Sequence, residues 1–547
     1  MGIYYKFFVS ISCVLIISLS LFSQSYCKLS ISNNVSVVEG TTIQPGDTIC
    51  IQGGNRAYLL FRNLVGTAEL PITIVNAGGQ AVIDTDNYYG IKFFGCRFVR
   101  LVGNNVPGVQ YGFKVKRVGN GAGISVDNLS TNVEIAFIEI SNTAIGGIYA
   151  KTEPDCSFIA TRDKFTLYDL RIHDCYLHDI ADEGFYIGSS KFTGQTLTDC
   201  DTIVLPHIIS GVKVYNNIVE NTGWDGIQVS SAPFDCEIYG NIIRNDSYRE
   251  TPYQMSGILI GGGSDCDCYN NTIIDGKGDG IDIFGSNEMR IYNNLIVRPG
   301  KNYFPGDPAY PRHGIFFGTA PDNSTSSLVL VFNTIIQPKT NGIRFFNNNS
   351  TGNLIQNNIV CEPGDLNTQG DAAYFNHNLL NTQFILWNNF FSGSIATVQF
   401  VDPLQLNFDL KPGSPVVNKA TTVSNFELLF DILNRERPFH AGSDIGAFEC
   451  HDIHAGISSP PENKNQLIFS PNPANGTVTF KLTEPYIENA EILIYDSFGK
   501  QMQNTKISIH SVNNSLFILD ISTLAKGIYF VHISSENKTN TGKLIVK

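Results

Sequence analysis

The sequence predicts an all-β protein in which many short strands wind into one continuous parallel coil, with a small antiparallel β-sandwich after it. The first observation is a recurring Gly-apolar-x-apolar motif. It reads GIKF from Gly90, GFKV from Gly112, GIYA from Gly147, GFYI from Gly184 and GIQV from Gly226. It continues as GILI from Gly257, GIDI from Gly280, GIFF from Gly314 and GIRF from Gly342. The second observation is an apolar-x-Asn-x-apolar motif lying between these, around Asn217, Asn241, Asn271, Asn294, Asn333 and Asn358. The third is a change of pattern near the C-terminus, where longer alternating strands such as TVTFKL, EILIYDS and GIYFVHIS replace the short motifs.

The glycine motifs recur irregularly, about every 22 to 42 residues, as expected of stacked short strands with variable loops. Alternation turns the apolar residues of each strand inward. The Gly is read as a turn residue that a side chain would forbid, and an Asn column as a corner bonded to its neighbours along the stack. A leucine frame or a four-stranded blade is missing, which argues against leucine-rich repeats and propellers. With these motifs in place, residues from about 30 to 450 resemble the right-handed parallel β-helix superfamily that includes pectate lyases. Leu70–Asp84 (LPITIVNAGGQAVID) resembles its first coils, and the run from Gly413-Ser414-Pro415 to Asp444–Glu449 (DIGAFE) resembles its end cap. The expected organisation is a leader over 1–27, the β-helix over 28–410, its cap over 411–450, a linker over 451–465 and the sandwich over 466–547.

Lys6, the apolar stretch Phe7 to Phe22 and the run Ser23 to Cys27 read as a signal peptide, too short for a membrane anchor. No other long apolar run exists, so the mature protein is expected to lack a transmembrane anchor and to be a monomer. With 37 basic and 50 acidic residues the net charge is −13. That argues against nucleic acid as a partner and leaves an acidic polysaccharide open through a local basic patch or a bridging cation. Ten cysteines follow Cys27. Export permits disulfides without fixing their pairing, and small apolar core positions are the other use. Cys266 and Cys268 form a CxC pattern with no histidine cluster nearby.

The closing 80 or so residues carry turn signals between alternating strands, enough for a small sandwich. Ser470–Pro473 (SPNP), Tyr495–Lys500 (YDSFGK), Leu524–Ile533 (LAKGIYFVHI) and the terminal GKLIVK resemble the type IX secretion sorting domain of Bacteroidetes. That resemblance implies the type IX secretion machinery as a partner and a secreted or outer-cell-surface location.

In such a coil the third residue of each glycine motif points outward. The resulting column is Lys92, Lys114, Tyr149, Tyr186, Gln228, Leu259, Asp282, Phe316 and Arg344. The residue before each Gly gives a second column: Tyr89, Tyr111, Gly146, Glu183, Asp225, Ser256, Asp279, His313 and Asn341. Coils about 4.8 Å apart put column neighbours within reach of one sugar ring. Tyr149, Tyr186, Gln228, Asp279, Asp282, His313 and Arg344 are therefore candidate substrate contacts. The competing reading of Asp225-Gly226 and Asp279-Gly280 is ordinary turn chemistry.

The superfamily resemblance implies action on polysaccharide. A polyuronate lyase needs a base for the proton alpha to a carboxyl group and a cation, often calcium, to neutralise that carboxylate. Lys151, His178, Glu183 and Asp225 are the expected catalytic residues, and Asp182, Glu183 and Asp225 the expected calcium ligands. A polygalacturonase-like hydrolase uses aspartates to activate water and protonate the leaving group. Gly278–Gly285 (GDGIDIFG) is similar to one motif of that family and carries over Asp279 and Asp282. Its paired Asp-Asp, Gly-His-Gly and Arg-Ile-Lys motifs are absent. The sequence puts β-elimination of a polyuronate first, with that hydrolase and a non-catalytic glycan-binding or adhesion β-helix as alternatives.

Overall fold

The structure is a computed structural model. It describes residues 27–303, 311–377, 383–439 and 441–451, and most strand residues between 467 and 547. The expected leader and linker lie almost wholly outside these residues. The chain divides into two compact units, 1–452 and 453–547.

The first unit is a parallel β-helix, and one coil shows how it is built. Ile208–Tyr215 and Ile218–Thr222 meet at a tight corner, a second corner follows, and Ile227–Val229 closes the turn. Each of these strands pairs in parallel with its counterpart one coil away. The closing strands form a 12-stranded sheet running from Val37–Glu39 to Phe375–His377. Its register aligns Ser125, Tyr149, Tyr186, Gln228, Leu259, Asp282, Phe316 and Arg344 in one outward file. The inward neighbours Phe185, Ile227, Ile258, Ile281 and Ile315 are fully buried, each stabilising the stack by roughly 1.5–3 kcal/mol.

One motif was misassigned by pattern alone. Phe113–Val118, which holds GFKV, belongs to a different wall, where Lys114 pairs with Glu139 at 2.7 Å. The true member of the glycine sheet in that coil is Ala122–Asp127, so Ser125 replaces Lys114 in the file and Ala122 replaces Tyr111.

The glycine column follows from close packing, not from turn geometry. A Cβ on Gly184 would lie 2.4 Å from the Gly226 carbonyl oxygen, and one on Gly226 would lie 2.6 Å from that of Gly257. Neither has a left-handed φ. The Asn corner splits the work between two residues. Asn216, Asn270, Asn293 and Asn357 take left-handed φ values of 55–57°. The residue after each is buried and joins a ladder. Asn217 Nδ2 donates to Asn241 Oδ1 at 3.0 Å, and Asn241 does the same to Asn271. The pattern continues through Asn294, Asn333, Asn358 and Asn389. Beside it Tyr215, Tyr239, Tyr269 and Tyr292 stack at 4.8–4.9 Å, the spacing of the coils themselves.

The segment expected to cap the coil folds back over the outside of its last turns. Val416, Ile445, Ala447 and Phe448 cluster with Leu295, Val297, Ile336 and Ile359. A buried Arg437–Glu449 ion pair at 3.1 Å ties this segment together. Disulfides join Cys27 to Cys50, Cys156 to Cys200 and Cys236 to Cys266. The last residue of the expected leader is thereby bonded to the first coil. Cys268 is a buried free thiol, so the CxC pattern divides between a disulfide and the core.

The second unit holds two three-stranded antiparallel sheets. One contains Thr477–Lys481, Leu516–Asp520 and Ile509–Asn513. The other contains Glu491–Asp496, Gly527–Ser535 and Lys538–Val546. Val478, Phe480, Leu519, Val531 and Leu544 fill the core.

Asn271 Oδ1 accepts from both the main-chain N–H and the side-chain Nδ2 of Asn241. Asn271→Ala strands those buried donors, and should cost about 2–3 kcal/mol. A lowered urea midpoint with an unchanged m-value checks this; an unchanged midpoint would show that the ladder does not hold the corner.

Candidate active site

The outward file and the column before the glycines meet along one side of the 12-stranded sheet. There a cleft of about 650 Å³ is lined by Asp225, Gln228, Ser230, Asp279, Asp282, Arg312 and His313, together with Tyr253, Leu259, Phe284 and Phe316. Asp225 is fully buried, and its Oδ1 accepts from the Ser256 hydroxyl at 2.7 Å. Asp225 Oδ2 has no hydrogen-bond partner among the described residues. Asp279 is held on both oxygens, by the main-chain N–H of His313 and by Arg312 Nη1 at 3.1 Å. Asp282 projects from the same strand, with Oδ1 buried and unpartnered.

Burial pushes all three carboxyl groups upward, and for Asp282 the charges of Asp279 and Asp225 push the same way. Arg312 and the His313 amide oppose the rise at Asp279. A fourth acid, Asp246, is buried behind them and rises to about 6 for the same reason. His313 is driven down to about 3 by burial, with Arg344 and Arg312 adding to the effect, so its imidazole is neutral at physiological pH. Its Nδ1 sits 3.0 Å from the Thr340 hydroxyl.

Sequence reading missed Arg312 and Met255. Both lie two residues before a motif glycine, a column that was not read. In the coil between them that position is Gly278, whose Cβ would lie 2.3 Å from the Met255 backbone. Without a side chain there, Arg312 Nη2 reaches Met255 Sδ at 3.0 Å while Nη1 holds Asp279.

The other expected residues form a separate cluster further up the file. Tyr149 donates its hydroxyl to Glu183 at 3.0 Å and packs edge-on against Tyr186, with ring centroids 5.2 Å apart. Burial lifts Glu183 to about 7 despite that hydrogen bond, and holds the Tyr149 hydroxyl above its ordinary value. Lys151 lies over the Tyr186 ring at 4.1 Å and is ion-paired with Glu153 at 2.5 Å. Tyr149 and Lys151 line a second cleft of about 620 Å³.

Three expected roles need correction. His178 sits on Tyr176–Ile180, on another wall, where it stacks on Tyr176 and bonds Asp179 at 2.7 Å. It does not face either cleft. Of the expected calcium ligands, Asp182 is paired with Arg249 at 3.0 Å, Glu183 accepts from Tyr149 and Asp225 accepts from Ser256. Among the described residues no three Asp, Glu, His or Cys side chains are gathered to hold a metal ion. Arg344 is in the file as expected, one coil beyond Phe316, but it bonds Asn376 and lies over Phe346 at 4.0 Å.

Comparison with known proteins agrees with the two units. Residues 207–380 match the right handed beta helix region family, and residues 468–547 match the secretion system C-terminal sorting domain family. The first unit thus contains a right-handed β-helix region and the second a secretion sorting domain, which indicates export by type IX secretion to the cell surface or beyond it. Among the described residues no helix is long and apolar enough to cross a membrane. No curated protein sequence matches the chain. Among solved structures, a lacto-N-biosidase from Eubacterium ramulus is 15% identical over 64% of this chain, with a TM-score of 0.40. This chain spans 62% of that protein's length. The enzymatically active domain of bacteriophage CBA120 tailspike protein 2 is 12% identical, covering 93% of this chain and 72% of its own, at a TM-score of 0.31. The A-module of a mannuronan C-5 epimerase from Azotobacter vinelandii is 15% identical, covering 64% of this chain and 87% of its own, at 0.27. None of the three bears on the chemistry of the cleft.

Glu183 keeps its proton in the native state up to about pH 7, whereas the unfolded chain loses it near 4.3. Between those values the native state binds more protons, so stability falls as pH rises through that window. Glu183→Gln should leave stability near pH 4 unchanged and raise it at pH 7.5 by on the order of 3 kcal/mol. Denaturant midpoints at the two pH values check this, and equal shifts at both would refute it.

Proposed function

We propose that this protein is an exported glycoside hydrolase acting on polysaccharide, with Asp282 and Asp279 as the acid and base. The observation that carries this reading is the set of carboxyl groups gathered in one cleft, with the buried Asp282 Oδ1 lacking a partner among the described residues. Hydrolysis of a glycosidic bond needs one carboxyl group that keeps its proton and one that loses it. Asp282 suits the first role, since burial and its acidic neighbours hold the proton on. Asp279 suits the second, because Arg312 and the His313 N–H stabilise its charge. Asp225, braced by Ser256, faces the same space and is suited to position the sugar or the water. Phe316 and Phe284, 5.7 Å apart, offer apolar faces to the sugar ring.

The geometry favours hydrolysis over β-elimination of a polyuronate. The lyase constellation would need Lys151 as a base, and its ammonium is held against Glu153. His178 faces elsewhere, and Asp182, one of the expected calcium ligands, is paired with Arg249.

Incubation with polysaccharides should release reducing ends without the absorbance near 235 nm of an unsaturated product. Asp282→Asn and Asp279→Asn should each lower the rate about 10²–10⁴-fold. The low-pH limb of the rate profile should lie above the ordinary carboxylate range, because Asp279 must lose a proton that burial helps it keep. An unsaturated product would transfer the activity to elimination. Binding with no product from any glycan would leave a non-catalytic binder.

A further inference from the structure

We infer that the cleft takes an uncharged glycosyl unit and rejects uronates. This rests on the hydrolase reading of the same cleft. Six buried atoms of its lining residues have no hydrogen-bond partner among the described residues: Asp225 Oδ2, Gln228 Oε1, Ser230 Oγ, Gln254 Oε1, Asp282 Oδ1 and Arg312 Nε. The Gln228 and Gln254 Oε1 atoms only accept, Arg312 Nε only donates, and a hydroxyl or carboxyl oxygen does either according to where its proton lies. A ligand that serves all six must carry groups that both donate and accept. Sugar hydroxyls do so. A uronate carboxylate only accepts, so it cannot serve Gln228 Oε1 or Gln254 Oε1 where it lies against them.

Charge points the same way. Among the described lining residues Arg312 is the one Lys or Arg, and its Nη1 already lies 3.1 Å from Asp279. Asp225 and Asp282 are pushed to keep their protons, so the charge a uronate would meet is that of Asp279, and no free cation among the described lining residues offsets the burial of its own carboxylate. Like charges disfavour one another strongly in a buried site. On either side of Asp282 in the outward file, Leu259 and Phe316 present apolar surface suited to the C–H face of a pyranose.

The test uses the full-length Asp282→Asn protein, with Asp225→Asn as a second inactive variant. Binding is measured by calorimetry against an array of neutral glycans, polygalacturonate, alginate and sulfated galactans. The expected best ligand is neutral, its affinity changes less than about twofold between low and high salt, and Gln228→Met lowers it about tenfold or more at unchanged thermal stability. A best ligand that is a uronate or a sulfated glycan, or no neutral ligand at all, would overturn the inference. The parent reading fails separately. A neutral glycan that binds but is not cut by the wild-type protein sinks hydrolysis and leaves the neutral preference standing. Reducing ends released from polygalacturonate would do the reverse.

Discussion

The long unit depends on one constraint: each coil sits a single hydrogen-bonded strand spacing from the next, so every side chain must tolerate its counterpart directly above and below. Asparagine satisfies this requirement well, because one amide donates to the next and accepts from the one before. The ladder from Asn217 to Asn389 is that self-complementarity repeated, with each amide also closing a backbone carbonyl such as Val214 O or Ile238 O. Tyrosine satisfies it by stacking. Glycine satisfies it where even a methyl group would strike the neighbouring carbonyl.

Carboxylates do not satisfy it. Asp225 and Asp279 are buried on nearby rungs and Asp282 beside them buries one carboxyl oxygen, with the Arg312 guanidinium bonded to Asp279. Removing such a charge from solvent is costly, and a fold retains that cost most readily where the groups do chemistry. Arg312 bonds Asp279 directly and acts on Asp282 only through its charge, which separates the acids electrostatically: one is stabilised as an anion while its neighbours are pushed to keep their protons. The stack imposes close approach, and the single cation turns that approach into a difference between acids.

Much of the fold was legible because a repeat repeats. Nine motif glycines marked the wall, and eight of them do line it; the Asn motif marked the corner. The exception, Gly112, failed because Gly-Phe-Lys-Val has the right pattern on the wrong wall, and only register with Lys92 and Tyr149 reveals Ser125 as the true member. The role given to glycine was also only partly right, since crowding at Gly184 and Gly226 does what turn geometry was expected to do. The site was half legible. Asp225, Asp279, Asp282, Gln228 and His313 share a cleft because they occupy columns that periodicity can index. His178 was misplaced because proximity in sequence to Glu183 says nothing about walls once a corner intervenes. Arg312 escaped notice because its reach depends on Gly278, a side chain that is not there.

The sorting domain is independent of this chemistry, and its antiparallel sheets and core were readable from alternation alone. The central claim is that stacking forces aspartates into one dry cleft and keeps protons on some of them at neutral pH. The most direct check is a carboxyl ¹³C NMR titration of protein labelled at aspartate, with Asp225→Asn, Asp279→Asn and Asp282→Asn used for assignment. The account predicts that Asp225 and Asp282 titrate well above the ordinary carboxylate range and that removing Asp279 lowers the value for Asp282. Ordinary titration of all three below pH 5 would contradict it.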